Sequence, residues 1–200
     1  LLSKPESKGF FCVSTSYRQE PNAIPGRHDI IFPMFEFEFP GTIEDLREME
    51  IELCDHLGFD PLTQKTYAEW QKYYEIDGEL EAKHENDMFE KFNSCAITDF
   101  PEFTSPFWNM SRSEDGTSKK IDVILGGMET IGSAERSTDI DQMRDTFHTI
   151  TDGAYSKLLF DLFGKERVEA ELEEFLKFDF FPRVGGGIGM TRMIAALDKK

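Results

Sequence analysis

Cysteine is scarce in this chain: three residues, Cys12, Cys54 and Cys95, stand at scattered positions. An odd number without C-x-x-C spacing supports neither a disulfide framework nor a zinc centre. Long apolar runs are also lacking. No stretch approaches the roughly 18–20 residues needed to cross a bilayer, and residues 1–30 lack the layout of a secretory leader. Basic residues are the third shortage, with 22 Lys and Arg against 39 Asp and Glu and a formal charge of −17. Such a surface repels phosphate backbones, which argues against sequence-independent nucleic-acid binding but leaves room for specific contact with RNA through a local basic patch. Internal repeats and low-complexity tracts are absent. What the chain does have is aromatic weight: 19 Phe in 200 residues, with 39% hydrophobic residues. That composition belongs to a packed core, and the length suits one domain that needs no staples. A cytosolic single domain, with no membrane as partner, is expected.

Periodicity sorts the segments. Residues 10–17, FFCVSTSY, read as a strand, and PNAIPGRHD after them as a loop. In IFPMFEFEF at 31–39, Phe35, Phe37 and Phe39 alternate with Glu36 and Glu38, so one face is aromatic and the other acidic. The two strands predict an antiparallel hairpin with a long tip. From Thr42 to Leu57 the period becomes helical: Ile43, Leu46, Met49, Leu53 and Leu57 recur at three and four, between a Thr42 cap and Gly58. This helix is expected to pack on the Phe face. Residues 69–90 carry eight carboxylates against two lysines and read as a solvated helix or excursion. Strands are expected at 95–98, 121–128 and 129–136, with SRSEDGTSKK at 111–120 as a polar loop. Helices follow from about Ile140 and near 166–177, and the glycine-rich run Val184–Gly189 opens a last short helix at Met190–Leu197. Leu1-Leu2-Ser3 reads as the end of a helix begun earlier, so the chain is expected to be a piece of a longer protein. Hairpins without β-α-β alternation give an α+β fold, an antiparallel or mixed sheet of six to seven strands flanked by helices.

Three constellations carry chemistry. Arg18 and Glu20 share a strand face, with Arg27, His28 and Phe32 in and after the loop. Arginine suits phosphate because its planar fork donates two bonds and stays charged; a cross-strand ion pair beside a basic loop fits the same residues. Glu129 and Arg136, seven apart, fall on opposite faces of an ideal strand unless a bulge at Gly132 re-aims one of them; a packed strand with an edge salt bridge is the plainer reading. In GGGIGMTR the glycines mimic a dinucleotide fingerprint, but no acidic residue follows at the required distance. A glycine strand opening a helix, with Arg192 one turn inside, fits a nucleotide phosphate better. The four histidines lack ligand spacing, no G-x-S-x-G or Walker loop occurs, and Cys12 reads as a core residue.

Taken in order, these segments resemble motif 2, the amino-acid-binding strand and motif 3 of class II aminoacyl-tRNA synthetases, with the aspartyl/asparaginyl branch nearest. YRQE…RH…F at 17–32 resembles motif 2. ITDFP at 97–101 with SPF at 105–107, the run from Asp122 to Arg136, and GGGIGMTR resemble the segments that follow in that family. The resemblance runs from about Phe10 to Leu197. It implies a catalytic core over residues 1–200, from motif 2 to motif 3, with motif 1 and any anticodon-binding domain outside this chain.

The resemblance implies ATP-dependent activation of aspartate or asparagine as an aminoacyl-adenylate. Arg18 would hold the α-phosphate, Glu20 the adenine amino group, Arg27 and His28 the terminal phosphates, and Phe32 would stack on the base. Arg192 would meet the terminal phosphates from the far side, Glu129 would bind Mg²⁺, and Arg136 would take the amino acid's side chain. Arg18 and Arg192 would be the catalytic pair; tRNA for Asn or Asp and a full-length homodimer complete the implied partners. Residues 1–200 alone would adenylate weakly or not at all. Three departures matter: Thr191 stands where tRNA ligases carry Glu, Met34 where aspartyl ligases carry Gln, and Gly132 at the position of a hydroxyl magnesium ligand. Thr191 resembles ammonia-dependent asparagine synthetase, the tRNA-independent alternative. A non-catalytic synthetase-like binding protein is the second.

Overall fold

The computed structural model describes residues 1–18 and 23–200. Its first eight residues form turns, with Lys4 N–H donating to the Leu1 carbonyl at 2.8 Å, where a helix end was expected. A hairpin follows, β1 (Phe10–Tyr17) and β2 (Ile31–Pro40), paired antiparallel with Phe11 opposite Phe37 and Val13 opposite Phe35. Helix α1 (Ile43–His56) begins where the period changes. The Asp45 carboxylate accepts from the Thr42 N–H at 2.7 Å, and Gly58, at φ 74°, ends the helix in the left-handed region that favours glycine.

Strand β3 (Thr63–Thr66) leads into α2 (Tyr67–Tyr74) and α3 (Ala82–Phe92), then β4 (Ser94–Phe100). The region expected as a solvated helix or excursion is helical, but it covers the sheet instead of standing in solvent. Trp70 and Met88 are fully buried with Tyr67, Cys95, Ile97, Phe100 and Ile124. The carboxylate count concealed a helical spacing of apolar residues, Tyr67, Trp70 and Tyr74, which is what burial follows.

Strands β5 (Ser118–Leu125) and β6 (Met128–Arg136) form the second hairpin. The expected loop at 111–120 gives up its last three residues to β5, because Lys119 and Lys120 find partners in Glu135 and Asp122. Helices α4 (Ile140–Thr149), α5 (Ala154–Phe163) and α6 (Lys165–Phe175) pack around Trp108, Met143, Phe147 and Leu172. The chain returns through β7 (Arg183–Gly189) and ends in α7 (Met190–Asp198).

The seven strands form one sheet in the order β1-β2-β7-β6-β5-β4-β3. Every neighbouring pair is antiparallel except β3 with β4, so the sheet is mixed and the α+β expectation holds. Helices α1 and α7 cover one face, burying Leu46, Cys54, Ile121, Val123, Ile131 and Val184 beside Phe35, Phe37 and Phe39. Glycine makes β7 possible between its neighbours: a Cβ at Gly186 would lie 2.7 Å from the Gly132 carbonyl oxygen, and one at Gly185 2.7 Å from that of Phe37. Among the described residues, no helix is long and apolar enough to cross a membrane.

Candidate active site

Residues paired across an antiparallel sheet point to the same face. On the face away from α1 and α7, one row therefore holds Glu36, Gly187, Gly132 and Asp122, and the next Glu38, Gly185, Ala134 and Lys120. Gly187 and Gly132 leave the middle of this face without side chains. A cavity of about 200 Å³ opens over them, lined by Arg18, Arg27, Phe32, Met34, Glu129, Thr191 and Arg192 among others.

A bulge brings Glu129 to this face. Val123 pairs with Ile131 but Ile124 pairs with Glu129, which leaves Thr130 as the extra residue. The Thr130 hydroxyl lies within hydrogen-bonding distance of the backbone carbonyls of Met128 (3.1 Å) and Leu125 (3.3 Å) inside the turn. The expected bulge at Gly132 is thus two residues displaced, with the same effect: Glu129 joins the face of Gly132 and Arg136. A Cβ on Gly132 would come within 2.5 Å of Glu129 Oε1, so the glycine gives its space to that carboxylate.

The arginines are each held differently. The Arg18 guanidinium lies 5.3 Å from the centroid of the Phe32 ring, a cation–π arrangement that also makes a flat shelf. Arg192 donates to the Glu129 carbonyl at 2.6 Å and to the Arg27 carbonyl at 3.2 Å, tying loop to strand. Arg27 donates to the Gly127 carbonyl at 3.0 Å and pairs with Glu85 of α3. His28 turns away: its Nδ1 accepts from the Ile24 N–H at 3.3 Å, and it does not line the cavity. Glu20 lies outside the described residues.

A second cavity, about 310 Å³, adjoins the first and shares Glu129 with it. Its walls include Tyr67, Phe100, Glu79, Glu85, Lys120 and Asp122. Lys120 pairs with Asp122 and lies 3.7 Å above the Phe100 ring centroid. Burial, reinforced by Glu129, raises the Asp122 carboxyl above the usual range. Its Oδ1 has no hydrogen-bond partner among the described residues. Arg136 lines neither cavity. It sits further along the same face, opposite Arg183, where burial lowers its pKa against the pull of Glu38.

Two carboxylates facing one cleft suit a hard cation. Mg²⁺ keeps several waters and is held by one or two carboxylates together with substrate phosphates. Among the described residues no three acidic, His or Cys side chains gather to hold an ion. Asp122, Lys120 and Glu85 were not singled out from the sequence. An Asp within the apolar strand IDVIL was the available signal, since a buried carboxylate there needs a purpose. Glu85 gave none, because its partner is 58 residues away. Cys12, expected in the core, is exposed on β1.

Comparison with known proteins identifies the family and the fold. The family described as tRNA synthetases class II (D, K and N) matches residues 8–200. The fold is similar to asparaginyl-tRNA synthetase of Entamoeba histolytica in complex with asparaginyl-adenylate, with TM-score 0.75 and 20% identity, over 100% of this chain and 51% of that one. Asparaginyl-tRNA synthetase of Pyrococcus horikoshii, also complexed with asparaginyl-adenylate, gives 0.74 at 18% identity over 96% and 50%. Aspartyl-tRNA synthetase of Entamoeba histolytica gives 0.73 at 18% over 98% and 47%. The chain thus spans about half the length of these proteins. No curated protein matches by sequence.

Proposed function

The chain belongs to the class II tRNA synthetases for D, K and N, and from that premise we propose that it forms the catalytic core of an enzyme activating aspartate or asparagine with ATP, of the aspartyl/asparaginyl-tRNA ligase type. The observation that carries the reading is the shared wall. The arginine-lined cavity and the acid-lined cavity meet at Glu129, so a nucleotide in one and an amino acid in the other would bring phosphate and carboxylate together.

Adenylation joins a carboxylate oxygen to the α-phosphorus and expels pyrophosphate. Little proton transfer is involved, so the protein's task is to position two anions and to stabilise charge at phosphorus. Arg18 is assigned to the α-phosphate and Phe32 to the base, in keeping with the shelf they form. Arg27 and Arg192 are assigned to the terminal phosphates from the loop and from α7, with His28 able to join them if it leaves the Ile24 N–H. Glu20 is assigned to the adenine amino group. Glu129, with Asp122 beside it, would hold Mg²⁺; when bound, that ion would neutralise phosphate oxygens. The substrate's α-ammonium suits the acidic second cavity, and Arg136 is assigned to its side chain. The same reading includes tRNA for Asp or Asn, a homodimer of the full-length protein and a cytoplasmic location.

Thr191 favours a second reading, free asparagine synthesis from ammonia. Its hydroxyl donates to the Asp29 carboxylate of the loop at 3.4 Å, so the residue immediately before Arg192 offers a hydroxyl and not a carboxylate of its own. Pyrophosphate exchange in the full-length protein, run with each of the twenty amino acids, tests both. Aspartate or asparagine should stimulate exchange, and ammonia-dependent asparagine release without tRNA would select the second reading. Stimulation by lysine or serine alone would overturn the substrate assignment.

A further inference from the structure

We propose that Glu85 is a built-in competitor for Arg27, engaging the guanidinium that a nucleotide's terminal phosphates would bind and so setting the affinity of the empty site. The proposal rests on the ATP reading of the first cavity and concerns its regulation.

Three contacts support it. The Glu85 carboxylate pairs with the Arg27 guanidinium, and its Oε2 also accepts from the Glu129 N–H at 3.1 Å. The second Arg27 nitrogen is engaged by the Gly127 carbonyl at 3.0 Å. Arg27 thus lines the cavity with its charge already matched, and phosphate must displace a carboxylate to reach it. The pair is well shielded, the two side chains being 14% and 18% exposed, so screening by water and salt is weaker than at an open surface.

Packing keeps Glu85 there. Gly127, at φ +86°, presses the β5–β6 turn so close to α3 that a Cβ would lie 2.8 Å from Asn86 Oδ1. Position also matters. Arg27 lines the first cavity, Glu85 the second, and Glu129 both. The ion pair therefore stands on the partition between them, and phosphate binding that draws Arg27 away would open the partition.

The test is Glu85→Gln, which keeps an acceptor for the Glu129 N–H while removing the charge that strengthens the bond to Arg27. Calorimetric titration of the full-length protein should show ATP binding about three- to tenfold tighter than in the wild type. Adenosine binding should be unchanged, because adenosine carries no phosphate. Glu85→Ala should give the same gain, and the gain should vanish in an Arg27→Gln background. Tighter binding of adenosine as well, or a gain that survives Arg27→Gln, would overturn the proposal. So would ATP binding that Glu85→Gln leaves unchanged or weakens. A wild-type protein that binds no ATP would instead sink the functional reading itself, and this proposal with it.

Discussion

Glu50 offers a measurable link between pH and stability. It stands in the apolar stripe of α1, 1% exposed, with the Ser133 hydroxyl donating to it at 2.6 Å. Burial pushes its carboxyl up from 4.5 to about 8; Asp122 pushes the same way, while Ser133 and the charge of Arg47 pull back. Between those values the unfolded chain has lost this proton and the native protein still holds it. The native state binds more protons, so stability is full below pH 4.5, falls as pH rises, and is lost through pH 8. At pH 7 the distance from 4.5 is two and a half pH units, and about 1.4 kcal/mol for each gives a cost of about 3 kcal/mol. Glu50→Gln removes the titration with little change in shape. The figure is an upper one, since the new amide N–H₂ must find an acceptor in the same space. Urea unfolding followed by tryptophan fluorescence should show equal midpoints for the two proteins near pH 4.5. By pH 7 the variant's midpoint should lie about 1 M higher, at an m of about 3 kcal/mol/M. Midpoints that move in parallel from pH 4.5 to 8.5 would refute the reasoning.

Two adjacent glycines should separate stability from binding. Gly186→Ala sets a Cβ 2.6 Å from that of Ser133, an overpacking that should cost about 1–3 kcal/mol and lower the thermal midpoint by some 3–10 °C. Gly187→Ala meets only the mobile end of Met34, so the midpoint should hold while ATP binding weakens; equal losses in both variants would contradict this. Arg192→Ala removes two bonds to backbone carbonyls. ATP affinity should fall about tenfold or more, as for lost charged contacts of 1.5–3 kcal/mol, with faster hydrogen exchange at 24–28. Unchanged exchange would show that Arg192 does not hold the loop.

Elements set by local period were legible in the sequence. The alternation at Phe35–Phe39 and the three-and-four spacing from Ile43 gave β2 and α1 to within about a residue, because each period dictates which face is buried. The cover formed by α2 and α3 was not legible, since composition spoke louder than the spacing of Tyr67, Trp70 and Tyr74. In the candidate site, the segment that holds Arg18, Arg27 and Phe32 could be found by pattern. Side-chain contacts could not. The bulge falls at Thr130 rather than Gly132 because a bulge depends on how two strands register, which one strand's residues do not specify. Glu85 and Lys120 stayed hidden for the same reason, each acquiring meaning from a partner that only the folded chain supplies.

Arg136 tests the part of the reading that the geometry strains most. It faces Arg183 directly across β6 and β7, and Glu38 lies near both. Arg183, 3% exposed, holds the ion pair with Glu38 at 3.0 Å and lies 5.3 Å from the Phe180 ring centroid. Two guanidinium groups therefore share one carboxylate. Removing Arg136 relieves a repulsion, and removing Arg183 breaks the ion pair with a half-buried Glu38. Arg136→Leu should keep the thermal midpoint within about 2 °C of the wild type, a shift of under about 1 kcal/mol at this size. Arg183→Leu should cost about 1.5–3 kcal/mol, the range for a lost charge-assisted bond, because the Glu38 it leaves is 34% exposed and still has Arg136 nearby. If the Arg136 guanidinium serves the substrate's side chain, Arg136→Leu also abolishes pyrophosphate exchange with aspartate and asparagine while the protein stays folded. A folded Arg136→Leu that exchanges like the wild type would refute that role. The side-chain cation would then be Lys120 on the wall of the second cavity, and Lys120→Met should abolish the exchange that Arg136→Leu had left intact.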